Sequence, residues 1–431
     1  MSRLQDHDLI TLYQAKQLVS GISSPIEGGA LVAEDGVILA IGTSAELQFE
    51  YPQAERVDFD DAVIVPLLVN AHTHLELTDF PHWAVASGRS DDPSSFVDWI
   101  INLIKIKIKL DKNVYQKSVA NGLEQSLRAG TGAVGDILAH HSARDAYLGS
   151  PLNAVLYLET LGQKAEVIAR VRSELFDLLG NDKVGSAHLG ISPHSPYTIS
   201  ASYLRQIYDR CRNDQLRCTT HVAESPDEVD FLKSGRGEIA STFYPFVGWE
   251  DHIPRTSGLS PIEYLQQQGG LFPQNLLVHG VQLTESEIEI LAAEKMHLAL
   301  CPRSNARLKV GRAPAAALFK AGVKLCLGTD SLASCDSLSI WDEMVFAHQW
   351  FAGALDAPTL FHMATMGGAE ALGVDHCLGS LEKGKKAGFQ VLQPQTKVAS
   401  ADLFDYFVSP DCAQNIVQVY HNGQAQLSGL S

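Results

Sequence analysis

The sequence predicts a (β/α)8 barrel, a TIM-like fold, carrying a small β-sandwich domain assembled from both ends of the chain. Three observations predict it. Eight brief apolar runs alternate with longer stretches of helical periodicity through the middle of the 431 residues, the rhythm of repeated strand–helix units. Polar or ionisable residues recur at nearly all of the run ends, where such a barrel carries its chemistry. Both termini read as short strands and turns with too little apolar surface to fold alone, so they are expected to pair.

The elements follow in chain order. Two apolar runs flank Asp35-Gly36, a dipeptide suited to a tight hairpin. The eight runs of the middle are 62–69, 133–137, 155–158, 187–191, 217–222, 276–279, 297–301 and 323–328. Between the first two, residues 114–129 have helical periodicity and stop at Gly130. After the barrel come residues 389–392 and 416–420, the latter followed by Asn422-Gly423. The expected division is 1–63 for the first part of the small β domain, 64–378 for the barrel and 379–431 for the second part.

Composition narrows the class of function. With 45% hydrophobic and 19% charged residues, the chain is neither collagen-like, low-complexity nor disordered. Lys+Arg number 33 and Asp+Glu 50, a net charge of −17. That balance argues against a nucleic-acid backbone or an anionic membrane as partner and leaves a small-molecule substrate. Residues 1–8 lack the basic and apolar regions of a signal peptide. The seven cysteines include no C-x-x-C pair, as expected of reduced thiols in a cytoplasmic enzyme.

The run ends supply the candidate site. His72-Thr73-His74 follows the first run, Asp136 the second, Glu159 the third and His194 the fourth. The fifth carries His221 and then Glu224, the sixth ends at His279, the seventh leads into Cys301-Pro302-Arg303-Ser304-Asn305, and the eighth into Asp330. Scattered core histidines would not keep this phase. In extended chain His72 and His74 share a face, so their imidazoles can take adjacent positions on one divalent metal, zinc or iron. His221 and Asp330 can complete the set. Glu224, three residues beyond His221, is placed to move protons of a metal-bound hydroxide without being a ligand. His279 can hydrogen-bond the attacking oxygen, and Asp330 can also accept a proton.

Other motifs carry less. Residues 379–386 imitate a phosphate-binding loop but end in Lys where Ser or Thr is needed, and no strand leads directly into them. They read as a turn. His74-Leu75-Glu76 lacks the P-C-x-x-C of the small zinc base deaminases.

With these residues in place, the chain resembles the amidohydrolase superfamily, in its cytosine-deaminase-like and chlorohydrolase-like branch. The likeness rests on Asn70-Ala71-His72-Thr73-His74, His221-Val222-Ala223-Glu224, Leu277-Val278-His279-Gly280, Cys301-Pro302-Arg303-Ser304-Asn305, Gly328-Thr329-Asp330-Ser331 and Gly379-Ser380-Leu381-Glu382-Lys383-Gly384. Leu67 departs from the usual Gly after Pro, and Ala387-Gly388-Phe389 from the usual Ala-Asp-Phe. The resemblance implies a single metal held by His72, His74, His221 and Asp330, with Glu224, His279 and Asp330 handling protons. Two-metal relatives need a bridging carboxylate, usually a carbamylated lysine, and the third to fifth runs contain none. A homodimer is common in this branch.

In the surroundings of the site, the chain is most similar to aminofutalosine deaminases, through His74 to Thr78, Phe96 to Ile100, Cys301 to Asn305 and Thr329 to Ser334. Such a substrate carries an adenine, a sugar and a benzoate. On that reading Glu76 accepts from sugar hydroxyls, His194 contacts the sugar or base, and Glu159 and Asn305 are further substrate-binding residues. Arg303 either meets the carboxylate bidentately or pairs with an acidic loop residue. The implied reaction is hydrolytic deamination of an aminopurine-type substrate. S-adenosylhomocysteine, methylthioadenosine or another nucleobase, a chlorohydrolase, a cyclic-amide hydrolase and a silent metal-binding scaffold are the alternatives.

Overall fold

The computed structural model describes residues 10–88, 93–181, 184–254 and 257–428. Segment 1–8, read above as lacking a leader, lies outside them. Eight parallel strands succeed one another in sequence order around a single sheet. They are β1 Leu68–Thr73, β2 Thr131–Leu138, β3 Asn153–Glu159, β4 His188–Ser192, β5 Arg217–Val222, β6 Asn275–His279, β7 His297–Leu300 and β8 Lys324–Leu327. A parallel bridge from Thr73 to Asp330 joins the first strand to the chain leaving the last. This is the barrel that the alternation implied, and its closure is made by residues at the site itself.

Run 62–69 does not form one strand. It divides at Leu67: Val63–Pro66 pairs antiparallel with Phe389–Leu392 and parallel with Gln17–Leu18, while Leu68 begins β1. Leu67 is buried between the two sheets, over Gly132 and Gly388, where any added Cβ would meet its side chain within 3 Å. Hydropathy cannot register this break, because both halves are equally apolar.

The terminal segments form a four-stranded and a six-stranded sheet, and the latter unites residues from both ends of the chain. Strands Gly29–Glu34 and Val37–Thr43 turn through Asp35 and Gly36 at φ 50° and 75°. Strands Ile416–His421 and Gln424–Ser428 turn through Asn422 and Gly423 at φ 50° and 71°. Positive φ at both central residues is what a two-residue hairpin of this twist requires. Tyr13, Ile64, Phe389, Val391 and Tyr420 form the buried core there. A buried amide fastens this part to the barrel. Gln390 Oε1 accepts from Trp341 Nε1 at 3.0 Å, and its Nε2 donates to Pro66 O at 3.0 Å. Losing either partner would strand a buried polar group, a cost of about 1–3 kcal/mol.

Segment 379–386 runs through turns into Phe389–Leu392, with Lys385 paired to Glu382 at 2.9 Å, as a connecting turn would. All seven cysteines are free and six are buried. Among the described residues no helix is long and apolar enough to cross a membrane.

Candidate metal and active site

The end of β1 delivers His72 and His74 to the floor of a pocket at the C-terminal mouth of the barrel. The backbone of His72 lies so close to Gly328 that a Cβ there would come within 2.8 Å of the His72 carbonyl oxygen. β5 delivers His221, whose Nδ1–H donates to the His194 carbonyl at 2.8 Å, leaving Nε2 with a free lone pair. One ring nitrogen from each of His72, His74 and His221 lies within 4.8 Å of the others. His74 Nε2 and His221 Nε2 are 3.3 Å apart. Asp330 Oδ1 is 3.6 Å from both His72 Nε2 and His74 Nε2.

Asp330 holds a left-handed backbone, φ 59°, which is strained for a residue with a side chain. Its surroundings fix it there. Its N–H donates to His72 O at 3.1 Å, its carbonyl accepts from Thr73 Oγ1 at 2.8 Å, and its Oδ2 accepts from Ser304 Oγ at 2.6 Å and Ser334 Oγ at 2.9 Å. Oδ1 is thereby left facing the imidazoles. Burial raises the Asp330 carboxyl, but His72 and His74 outweigh that and hold it well below the usual carboxylate range. Burial and then His72 push His74 down to about 3, and burial with its imidazole neighbours pushes His221 well down. His72 Nε2 is buried with no hydrogen bond. Three imidazoles, two of them held neutral, converging beside an ionised carboxylate suit a divalent cation.

Glu224 and His279 stand next to this cluster, His279 Nε2 3.5 Å from Glu224 Oε1. His279 Nδ1–H donates to Asn305 Oδ1 at 3.0 Å, so the neutral ring presents Nε2 as an acceptor. Burial, the leading cause, pushes His279 down to about 4, which keeps it neutral. Glu224 is aimed by Glu228, whose carboxylate accepts from Ala223 N–H and Glu224 N–H, both at 2.9 Å. Ala223 at φ 52° and His279 at φ 74° repeat the strain of Asp330. Burial, then the charges of Asp330 and Glu228, raises the Glu224 carboxyl well above its ordinary value.

The pocket above has a volume of about 440 Å³, within the range that takes a nucleoside-sized ligand. One wall is polar. Glu76 is bound by Lys107 Nζ at 2.8 Å and His140 N–H at 2.9 Å. Burial would raise this carboxyl, and Lys107 with His140 instead holds it well below the usual range. Glu159 lines the same wall and is pushed by burial up to about 7. The rest of the lining is largely apolar: Phe96, Trp99, Ile100 and Ile104 from helix Phe96–Lys107, the helix that also carries Lys107, with Val247 and Trp249.

The structure thus brings together His72, His74, His221, Asp330, Glu224 and His279, with Glu76, Glu159 and His194 on the pocket wall. Arg303 and Asn305 are not among the lining residues. Asn305 is 2% exposed and holds His279. The Arg303 guanidinium pairs with Asp336 and donates to Ser337 O at 3.2 Å, while its N–H donates to Glu343 at 3.0 Å. Of the two readings of Arg303, pairing with an acidic loop residue, Asp336, is the one that this structure contains, with Glu343 of helix Ile340–Trp350 beside it. Sequence reasoning missed Ser304 and Ser334, which restrain Asp330, and Lys107 and Glu228, which restrain Glu76 and Glu224. Glu228 had a local signal: Ser225-Pro226 followed by Glu228 marks a capped helix start.

A family model described as "Amidohydrolase family" matches residues 63–425. The chain belongs to that family and is a hydrolase acting on carbon–nitrogen bonds, with a site for a divalent metal at His72, His74 and His221. Among relatives, it is 32% identical over 367 residues to an aminodeoxyfutalosine deaminase of Deinococcus radiodurans, covering 83% of this chain and 84% of the relative. It is 30% identical over 375 residues to a 5-methylthioadenosine/S-adenosylhomocysteine deaminase of Haloarcula marismortui, covering 84% and 79%. The fold is also that of Helicobacter pylori aminofutalosine deaminase, with TM-score 0.82 and 22% identity over 97% of this chain and 100% of the other.

Proposed function

We propose that the protein is a cytoplasmic, zinc-dependent deaminase of adenine-type nucleosides, with 6-aminodeoxyfutalosine as its substrate. The observation that carries the reading is the pairing of Glu224 with His279 at 3.5 Å beside three imidazoles and a carboxylate, on the floor of a pocket of nucleoside size. The Deinococcus and Haloarcula relatives, whose names describe deaminases of adenine nucleosides, support it. Three imidazoles and one carboxylate suit zinc. The absence of lysine from β3, β4 and β5 supports a single ion.

In this reading His72, His74, His221 and Asp330 hold the metal. When bound, it supplies Lewis acidity that makes water a competent nucleophile near neutral pH. Glu224 takes a proton from the attacking water and delivers it to the ring nitrogen beside the carbon that bears the amine. His279 Nε2 holds the remaining hydrogen of the attacking oxygen, oriented by Asn305. Asp330 then passes that second proton to the amine, the carbon–nitrogen bond breaks and ammonia leaves with the ring nitrogen still protonated. Glu76 and Glu159 accept from sugar hydroxyls, and His194 contacts the sugar or base.

Methylthioadenosine is the second candidate, because the apolar wall of Trp99, Ile104 and Val247 would accept a thioether as readily as an aromatic ring. Ammonia release from 6-aminodeoxyfutalosine, methylthioadenosine, S-adenosylhomocysteine and adenosine separates the two. For whichever amine is turned over, Glu224→Gln is expected to keep metal content and lose about 10²–10⁴-fold in kcat. Full activity in that variant would overturn the role of Glu224.

A further inference from the structure

The deep part of the pocket is poorly suited to an anionic group of the substrate other than one bound directly by the metal. Glu76, Glu159, Glu224 and Asp330 line it. The one ammonium among the lining residues, Lys107, is already held by Glu76 at 2.8 Å. Arg303, the other candidate, is tied to Asp336 and Glu343 outside the lining. A carboxylate at the far end of a substrate must therefore be met elsewhere.

The mouth offers a place. Segment 243–249 contributes Val247 and Trp249 to the pocket lining, and two lysines flank its turn from opposite neighbours. From helix Phe96–Lys107, Lys105 Nζ lies over the Phe246 ring, 5.5 Å from its centroid. From the loop after β3, Lys164 Nζ lies 3.8 Å from the position that a Cβ on Gly248 would occupy. That loop is fastened to the same segment by a Gln163 Nε2 hydrogen bond to Tyr244 Oη at 3.1 Å, and its Leu161 is itself a lining residue. Among the described residues, no acidic side chain forms an ion pair with either ammonium. Neither lysine lines the pocket itself; they lie beside Phe246 and Gly248, the neighbours in sequence of the lining residues Val247 and Trp249.

We propose that Lys105 and Lys164 form an anion subsite at the pocket mouth, which takes a carboxylate carried on an aromatic arm of the substrate. This rests on the reading of the chain as a nucleoside deaminase. The adenine lies at the metal floor, the aromatic ring lies along Trp99 and Ile104, and the carboxylate emerges between the two lysines. Partial exposure of the rim makes the attraction modest and sensitive to salt.

The test uses the full-length, metal-replete protein, with kcat and KM measured for 6-aminodeoxyfutalosine and for methylthioadenosine. In the double variant Lys105→Gln/Lys164→Gln, KM for the carboxylated substrate is expected to rise about tenfold with its kcat retained. The preference for it over methylthioadenosine falls accordingly. In the wild type that preference weakens as ionic strength rises, in the glutamine variant it no longer does, and Lys105→Arg/Lys164→Arg restores it. A double glutamine variant with the wild-type preference and salt response would overturn the subsite while leaving the deaminase reading intact. Wild-type turnover of methylthioadenosine with none of the carboxylated nucleoside would overturn the substrate assignment, and the subsite with it.

Discussion

The floor and the mouth of the pocket are built on opposite principles. On the floor four of the six functional side chains are held from behind: Asp330 by Ser304 and Ser334, Glu224 by the loop that Glu228 grips, His279 by Asn305, and His221 by the His194 carbonyl. Three residues there, Ala223, His279 and Asp330, keep left-handed backbones that only such over-determination sustains. The mouth is lined by apolar side chains with lysines beyond them; Leu161, which lines it, and Phe246, beside it, are 36% and 39% exposed. Such a surface can change its side chains at small cost to the fold. Chemistry is therefore lodged where geometry is rigid, and selectivity where packing is permissive.

The largest effect is expected on the floor. Removing the metal with a chelator, or replacing His221 with Ala, should cost roughly a thousandfold or more in ammonia release. Added zinc should restore the stripped wild type and not His221→Ala. Equal rescue of both would mean that His221 is not needed to hold the ion, and the division between floor and mouth would lose its anchor. The double variant Ser304→Ala/Ser334→Ala tests the restraint behind the floor. It deletes both hydrogen bonds to Asp330 Oδ2 without touching a proposed ligand. Metal affinity should fall by about 10–100-fold, as happens when partners behind a ligand are lost. Unchanged affinity in a metal titration would show that the backbone alone positions Asp330.

The floor was more legible in the sequence than the mouth, for a physical reason. A barrel fixes where its strands end, so His72, His221, His279 and Asp330 could be placed together from strand order alone. Hairpins at Asp35-Gly36 and Asn422-Gly423 were legible because the backbone of a two-residue turn restricts residue type locally. What escaped depended on choices between distant partners. Arg303 had several acids within reach of a flexible side chain, and only the folded positions of Asp336 and of Glu343, on helix Ile340–Trp350, decide which it meets. Lys107 reaches Glu76 from a helix 31 residues away in sequence, and nothing local in either residue announces the other. The break at Leu67 was hidden in the same way, since an apolar run does not reveal which of two sheets each half will join.

The smallest effect should come from the mouth, and its form matters more than its size. Trp99 lines the pocket and is anchored by an indole N–H bond to Ala333 O at 3.1 Å, so Trp99→Ala removes an apolar contact near the rim and leaves the metal cluster untouched. If the mouth serves selectivity alone, substrate and transition state lose the same contact. KM should then rise about three- to tenfold with kcat unchanged, since uniform binding energy appears in KM. Metal content should match the wild type. A fall in kcat with KM preserved would mean that the wall acts on the reacting centre, by excluding water or pressing the base toward Glu224. Floor and mouth would then be parts of one mechanism, since a distance that the fold keeps between them would not separate their energies.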